Sequence, residues 1–145
     1  MAGFEISNIA PTLALLKTMP RQFNADVRKT VTRQVAGPAA KRIAAAGAAS
    51  EKQSAAAAKT VKAAFDRVPT IRAAGSRRVT KHATGGDIFF GAEFGGRGRK
   101  TTMQFRPHRG RTGYWFYPTM RGMSEQISRE WEASIDGVFH AWGRG

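Results

Sequence analysis

The sequence predicts a single α+β domain over residues 1–145: N-terminal helices, an antiparallel sheet of about four to five short strands, and a C-terminal amphipathic helix. Three patterns along the chain predict it. Apolar side chains recur at helical spacing in the first 67 residues, short β-rich runs punctuated by turn residues fill 68–121, and helical spacing returns from 122 to 145. The charge changes at nearly the same two boundaries. Residues 1–66 carry a net +6, 67–121 a net +10 and 122–145 a net −2, which together make the +14 of the whole chain.

In the first zone Phe23, Val27, Val31 and Val35 recur every four residues and form one slowly drifting helical stripe, with Arg28, Lys29 and Arg33 mostly off it. Pro20 suits a helix's first turn and separates it from a shorter segment over 12–19. Gly37-Pro38 predicts a break or kink, since proline lacks a donor and restricts its predecessor, with a helix restarting at Pro38 and running toward Ala49. Ser50 with Gln53 resembles a capping box opening another helix to about Arg67. Alanine fills 14 of the 29 positions from 36 to 64, so these helices bury little area each and need close neighbours, in their own domain or in another subunit.

In the middle zone Thr70-Ile71-Arg72-Ala73, Arg78-Val79-Thr80-Lys81 and Asp87-Ile88-Phe89-Phe90 read as strands, separated by Ala74-Gly75-Ser76 and Ala83-Thr84-Gly85-Gly86. Thr101-Thr102-Met103-Gln104-Phe105 and Gly113-Tyr114-Trp115-Phe116-Tyr117 supply a fourth and fifth, with Pro118 ending the last or lying on an edge. Such short connections predict antiparallel pairing. Four successive aromatics cannot share one face of a strand, so both faces need cover, by helices and by a neighbouring subunit. In the last zone Ser124 is a good N-cap, and Ile127, Trp131, Ile135, Val138, Phe139 and Trp142 share a face, with Glu125, Glu132 and Asp136 away from it.

Chemistry is sparse. With no cysteine the chain excludes disulfides, iron–sulfur sites, thiolate zinc sites and thiol nucleophiles. His82, His108 and His140 stand alone, and HExxH, nucleophile-elbow and P-loop motifs are absent, so no catalytic residue, metal site or cofactor is expected. Asp87 and Glu93 flank one predicted strand, and their spacing projects both to one side, though in so basic a neighbourhood pairing with arginine is the commoner use of such carboxylates. No apolar run reaches the roughly 18 residues that span a bilayer, and Met1-Ala2-Gly3-Phe4-Glu5 lacks a signal peptide's basic and apolar regions, so the sequence reads as soluble with no membrane partner.

A strongly basic balance favours acidic partners. Residues 95–113 hold six Lys or Arg and no acid: Arg97, Arg99, Lys100, Arg106, Arg109 and Arg111. A Gly/Arg tip between strands suits contact with phosphates or an acidic protein surface, or is a solvated loop without a specific role. It lacks GxGxxG spacing, which argues against a dinucleotide site.

The order of these features resembles the neck or tail-completion proteins of long-tailed bacteriophages, small head–tail joining proteins. The resemblance rests on Glu93-Phe94-Gly95 and on Phe116-Tyr117-Pro118-Thr119-Met120-Arg121, leading into the last helix. It spans nearly the whole chain in feature order and about ten residues as motif, and the Arg/Gly loop at 95–113 departs from the compact pattern. The resemblance implies a structural virion protein, assembled in the host cytoplasm. It would form a homo-oligomeric ring, with a hexamer favoured, against neighbouring neck and tail proteins and around double-stranded DNA in a channel. Tail terminator and head-closure rings are the adjacent alternatives. A basic nucleic-acid-binding protein using the six cations of 95–113 is a further one, and an enzyme using Asp87 or Glu93 the remotest.

Overall fold

A computed structural model describes residues 21–64, 70–96 and 104–143. The segment predicted over 12–19, the first three residues of the predicted strand at 101–105, and the site candidates Arg97, Arg99 and Lys100 lie outside them.

Helix α1 (Arg21–Val31) runs through a π-helical turn (Thr32–Ala36) into α2 (Gly37–Ser50). The predicted break at Gly37-Pro38 is therefore a widening, in which the Gly37 N–H reaches back five residues to Thr32 O. This turn gives the ring of Pro38 room that a tight α-turn denies it. It also advances fewer degrees per residue, so a four-residue repeat that would drift off an α-helical face stays in line. Phe23, Val27, Val31, Val35 and Ala39 are all buried.

Helix α3 (Lys52–Ala58) is shorter than predicted, and the Ser50/Gln53 box does not form: Ser50 ends α2 and Glu51 is the extended residue before α3. Strands β1 (Lys62–Ala64) and β2 (Thr70–Arg72) pair antiparallel, Lys62 opposite Arg72 and Ala64 opposite Thr70. This ribbon is the only sheet among the described residues, which corrects the expected four to five strands. The predicted strand at Arg78–Lys81 contributes a single bridge, Arg78 to Thr84. The predicted strand at Asp87–Phe90 is instead part of α4 (Gly85–Phe94), because Thr84 and Asp87 close a reciprocal capping box ahead of it. The predicted aromatic strand at 113–117 is the entry to α5 (Phe116–Gly143), which begins eight residues before the Ser124 that local sequence marks as its cap. Ser124 instead donates to Arg121 O within the helix.

Two apolar clusters result. Phe23, Val27, Val31, Val35 and Ala39 pack on Met123, Ile127, Trp131, Ile135 and Val138, making α1 and α5 an antiparallel pair closed by Phe23 against Phe139 and Trp142 (centroids 4.9 and 5.2 Å). The second cluster joins α2, α3 and α4 to the start of α5 through Ile43, Ala57, Ile88, Phe89, Trp115 and Phe116. The alanines make space in it. A Cβ on Gly47 would lie 2.7 Å from both the Trp115 ring and Ala58 Cβ, so the small-residue helices close around an indole. Among the described residues no helix is long and apolar enough to cross a membrane.

Candidate interface site

Helix α5 starts where it does because of a side chain from another helix. The first four N–H groups of an α-helix lack intrahelical acceptors. Here they belong to Trp115, Phe116 and Tyr117, while the fourth position is Pro118, which has none. Glu93, from the last turn of α4, supplies the acceptors. Its Oε2 accepts from Phe116 N (2.7 Å) and Trp115 N (3.3 Å), its Oε1 from Tyr117 N (3.0 Å). Thr119 N to Trp115 O then opens the regular helical pattern.

The carboxylate is 0 % exposed. Burial pushes its pKa up, opposed by the three backbone donors and by the Arg121 charge. The helix N-terminus, where the macrodipole favours negative charge, compensates part of the cost of burying it. Gly113 leaves the space: a Cβ there would stand 1.9 Å from Glu93 Oε1, and its φ of 74° suits glycine.

The backbone after α4 completes the joint. Gly95, at φ 81°, bonds back to Gly91 O, and a Cβ on it would lie 2.1 Å from Pro107 O. Glu93 O accepts from Tyr114 N (2.7 Å), Phe94 O from Arg109 N (2.8 Å), and Gly96 N donates to Arg106 O (2.8 Å). Glu93, Phe94, Gly95, Phe116 and Pro118, predicted from two separate stretches, therefore meet in one place. Around them the rings form a network: Phe89 touches Trp115 and Phe116 in the core, and outside it Phe90, Phe94 and Tyr117 stack in a row (6.4 and 5.6 Å). Phe90 is 47 % exposed, the outer end of that row.

The predicted pairing of Asp87 with Glu93 is corrected by the helix that carries them. Asp87 is exposed in the first turn of α4, held below the usual carboxylate range by the Thr84 backbone N–H and hydroxyl, whereas Glu93 is buried in the last turn. With both oxygens turned into the backbone, Glu93 offers no open face for proton transfer.

The basic loop is also redistributed. Arg106 faces inward, donating from Nη2 to Ser50 Oγ (2.9 Å) and Ser54 Oγ (3.2 Å), with Nε 3.5 Å from Glu51 Oε1 and its guanidinium 3.9 Å from the Tyr114 ring centroid. It latches residues 104–109 onto the α2–α3 corner. Arg109 lies over the same ring at 5.0 Å but is exposed, as is Arg111 in the 3₁₀ turn Gly110–Thr112. Tyr114, whose hydroxyl donates to Pro107 O (2.6 Å), and Arg121, the last residue of the second motif, which donates to Thr112 O, are further members. Among the described residues no three His, Asp or Glu side chains gather to hold a metal.

Compared with models of protein families, with curated proteins and with solved structures, the chain has no match.

Proposed function

We propose that the chain is a structural virion protein of the head–tail junction of a long-tailed bacteriophage, a neck or tail-completion component that assembles as a ring, six copies favoured, around the DNA channel. The observation that supports it most is the joint itself. The two short stretches on which the resemblance rests, 93–95 and 116–121, are far apart in sequence, and Glu93, Gly95, Phe116, Tyr117 and Pro118 from them meet in one connection. There they also meet Gly113, Tyr114 and Trp115.

Beside this joint the Phe90–Phe94–Tyr117 row is fixed on two helices and open on one side. Rigid aromatic surface of that kind is enriched at protein interfaces, because it buries much area for little lost side-chain freedom. It is the natural subunit contact in this reading. The outer face of α5, with Glu125, Glu132 and Asp136 exposed, gives the molecule an acidic side opposite in sign to its basic middle, which suits stacking against other proteins. Tail terminator and head-closure rings share these features and remain the alternative positions within the same junction.

Light scattering on the eluting protein tests the reading. A hexamer runs at about 95 kDa, six times the 15.8 kDa chain. Phe90→Ser with Tyr117→Ser should lower that mass while leaving the far-ultraviolet circular dichroism unchanged. A strictly monomeric protein without affinity for head-completion or tail proteins overturns it.

A further inference from the structure

The structure creates a cationic surface that crosses the boundary between the helical and strand zones. Between positions 59 and 84 the sequence holds seven Lys or Arg and one acid, Asp66. Among the described residues of this stretch there is no acid at all, and Lys59, Lys62, Arg72, Arg77, Arg78 and Lys81 are all exposed. The fold lays the two halves side by side. Lys62 stands directly opposite Arg72 in the β1–β2 ladder, Ala74 N donates to Thr60 Oγ1 (2.9 Å), and Arg77 Nη1 donates to Lys59 O (3.0 Å).

The loop carrying Arg77, Arg78 and Lys81 is pinned. Gly85 N bonds Arg77 O (2.8 Å), Gly86 N bonds Gly75 O (2.7 Å), and Val79 N bonds Ala83 O (3.1 Å) while its side chain is buried. The Arg77 and Arg78 guanidiniums are oriented by main-chain carbonyls, Lys59 O and Lys81 O, which direct them without cancelling their charge.

We propose that this face, built from the β1–β2 ribbon and the 73–84 loop, binds the phosphate backbone of double-stranded DNA without reading its sequence. Duplex DNA carries one negative charge per about 1.7 Å of axis, a continuous line of charge that a face holding six exposed cations from two adjoining segments complements. An acidic protein surface is a poorer match. In this chain's own acidic helix, four carboxylates are spread over residues 125–136 beside Arg129. The site differs from the basic loop at 95–113, in which Arg106 is turned into the fold. The inference does not rest on ring assembly, since a single copy presents the whole face.

Labelled duplex of random sequence, titrated by fluorescence anisotropy at several salt concentrations, tests it. The triple variant Lys59→Gln, Lys62→Gln, Lys81→Gln should make the log–log salt dependence shallower by about 2.7, at about 0.9 per lost phosphate contact. The triple variant Lys29→Gln, Lys41→Gln, Lys52→Gln removes the same charge from other exposed positions and should change the slope by much less. Acetylation of the unaltered protein gives a second readout that does not depend on any variant folding: duplex should protect Lys59, Lys62 and Lys81 and leave Lys29, Lys41 and Lys52 open. Equal effects of the two triples, no protection, or no binding at low salt overturns the proposal. Polyglutamate displacing the duplex as well as unlabelled DNA does, charge for charge, overturns it in favour of an acidic protein partner. Oligomeric mass is read separately, so a monomer that binds DNA through this face sinks the ring and not the site, and a ring that binds no DNA does the reverse.

Discussion

Replacing Glu93 with glutamine exchanges one carboxylate oxygen for an amide NH₂ at the buried start of α5. The two short bonds there, from Phe116 N at 2.7 Å and Tyr117 N at 3.0 Å, end on different oxygens. Glutamine has a single acceptor oxygen, so one of the two N–H groups loses its acceptor whichever way the amide turns. An unsatisfied buried donor costs about 1–3 kcal/mol, and relief from burying a charge offsets part of it, so the net loss expected is about 1–2 kcal/mol. Glu93→Ala removes both acceptors and should cost about 2–5 kcal/mol, a large share of the roughly 5–15 kcal/mol typical of a domain.

The pH dependence separates the two opposing effects. Burial is the larger influence on Glu93 and raises its pKa above 4.5, so the folded chain holds this proton more tightly than the unfolded chain. The free energy of unfolding therefore falls as pH rises from 4.5 through the raised value, and the group adds no further change above it. Glu93→Gln lacks this titration. Urea unfolding of both proteins should show the wild-type advantage largest at acid pH and smaller near neutrality. An advantage below about 0.5 kcal/mol throughout would refute the cap, since even a modest N-cap loss reaches that size. An advantage that grows as pH rises would refute the dominance of burial.

Gly113→Ala, whose Cβ would sit 1.9 Å from Glu93 Oε1, should destabilise at least as much as Glu93→Gln, and the double variant should lose much less than the sum, as measured in a double-mutant cycle. Gly122→Ala, in the same helix with open space around it, should instead stabilise by about 0.5–1 kcal/mol in the same urea assay. Arg106→Ala should cost about 1–3 kcal/mol through its serine and glutamate partners, while Arg109→Ala and Arg111→Ala should stay within about 0.5 kcal/mol. Asp87→Asn should lower the melting temperature near neutral pH. That difference should vanish as pH falls below 3.8 through the depressed Asp87 value, because a carboxylate held below its ordinary range stabilises only while ionised.

Helices with a buried stripe were legible wherever the stripe was long. Val27, Val31, Ile127 and Trp131 announce their faces by spacing alone, and all are buried. Short apolar runs were not. Ile88-Phe89-Phe90 fits a strand as well as a helix over so few residues, and what decides it is the Thr84–Asp87 box just upstream. The entry to α5 was beyond any local reading, because its cap comes from Glu93, more than twenty residues earlier, and Pro118 at the fourth donorless position resembled a strand end. At the site, Glu93, Phe94, Gly95, Phe116 and Pro118 were identifiable as residues, while their meeting in one joint was not. The cationic ribbon escaped notice because a division at residue 67 split Lys59 and Lys62 from Arg72, Arg77, Arg78 and Lys81.

The most direct measurement is an electron cryomicroscopy reconstruction of the purified protein. The account predicts a closed ring with a central opening and with Phe90, Phe94 and Tyr117 buried at the boundary between neighbouring copies. A monomer, or an assembly whose boundaries leave that aromatic row in solvent, would contradict it.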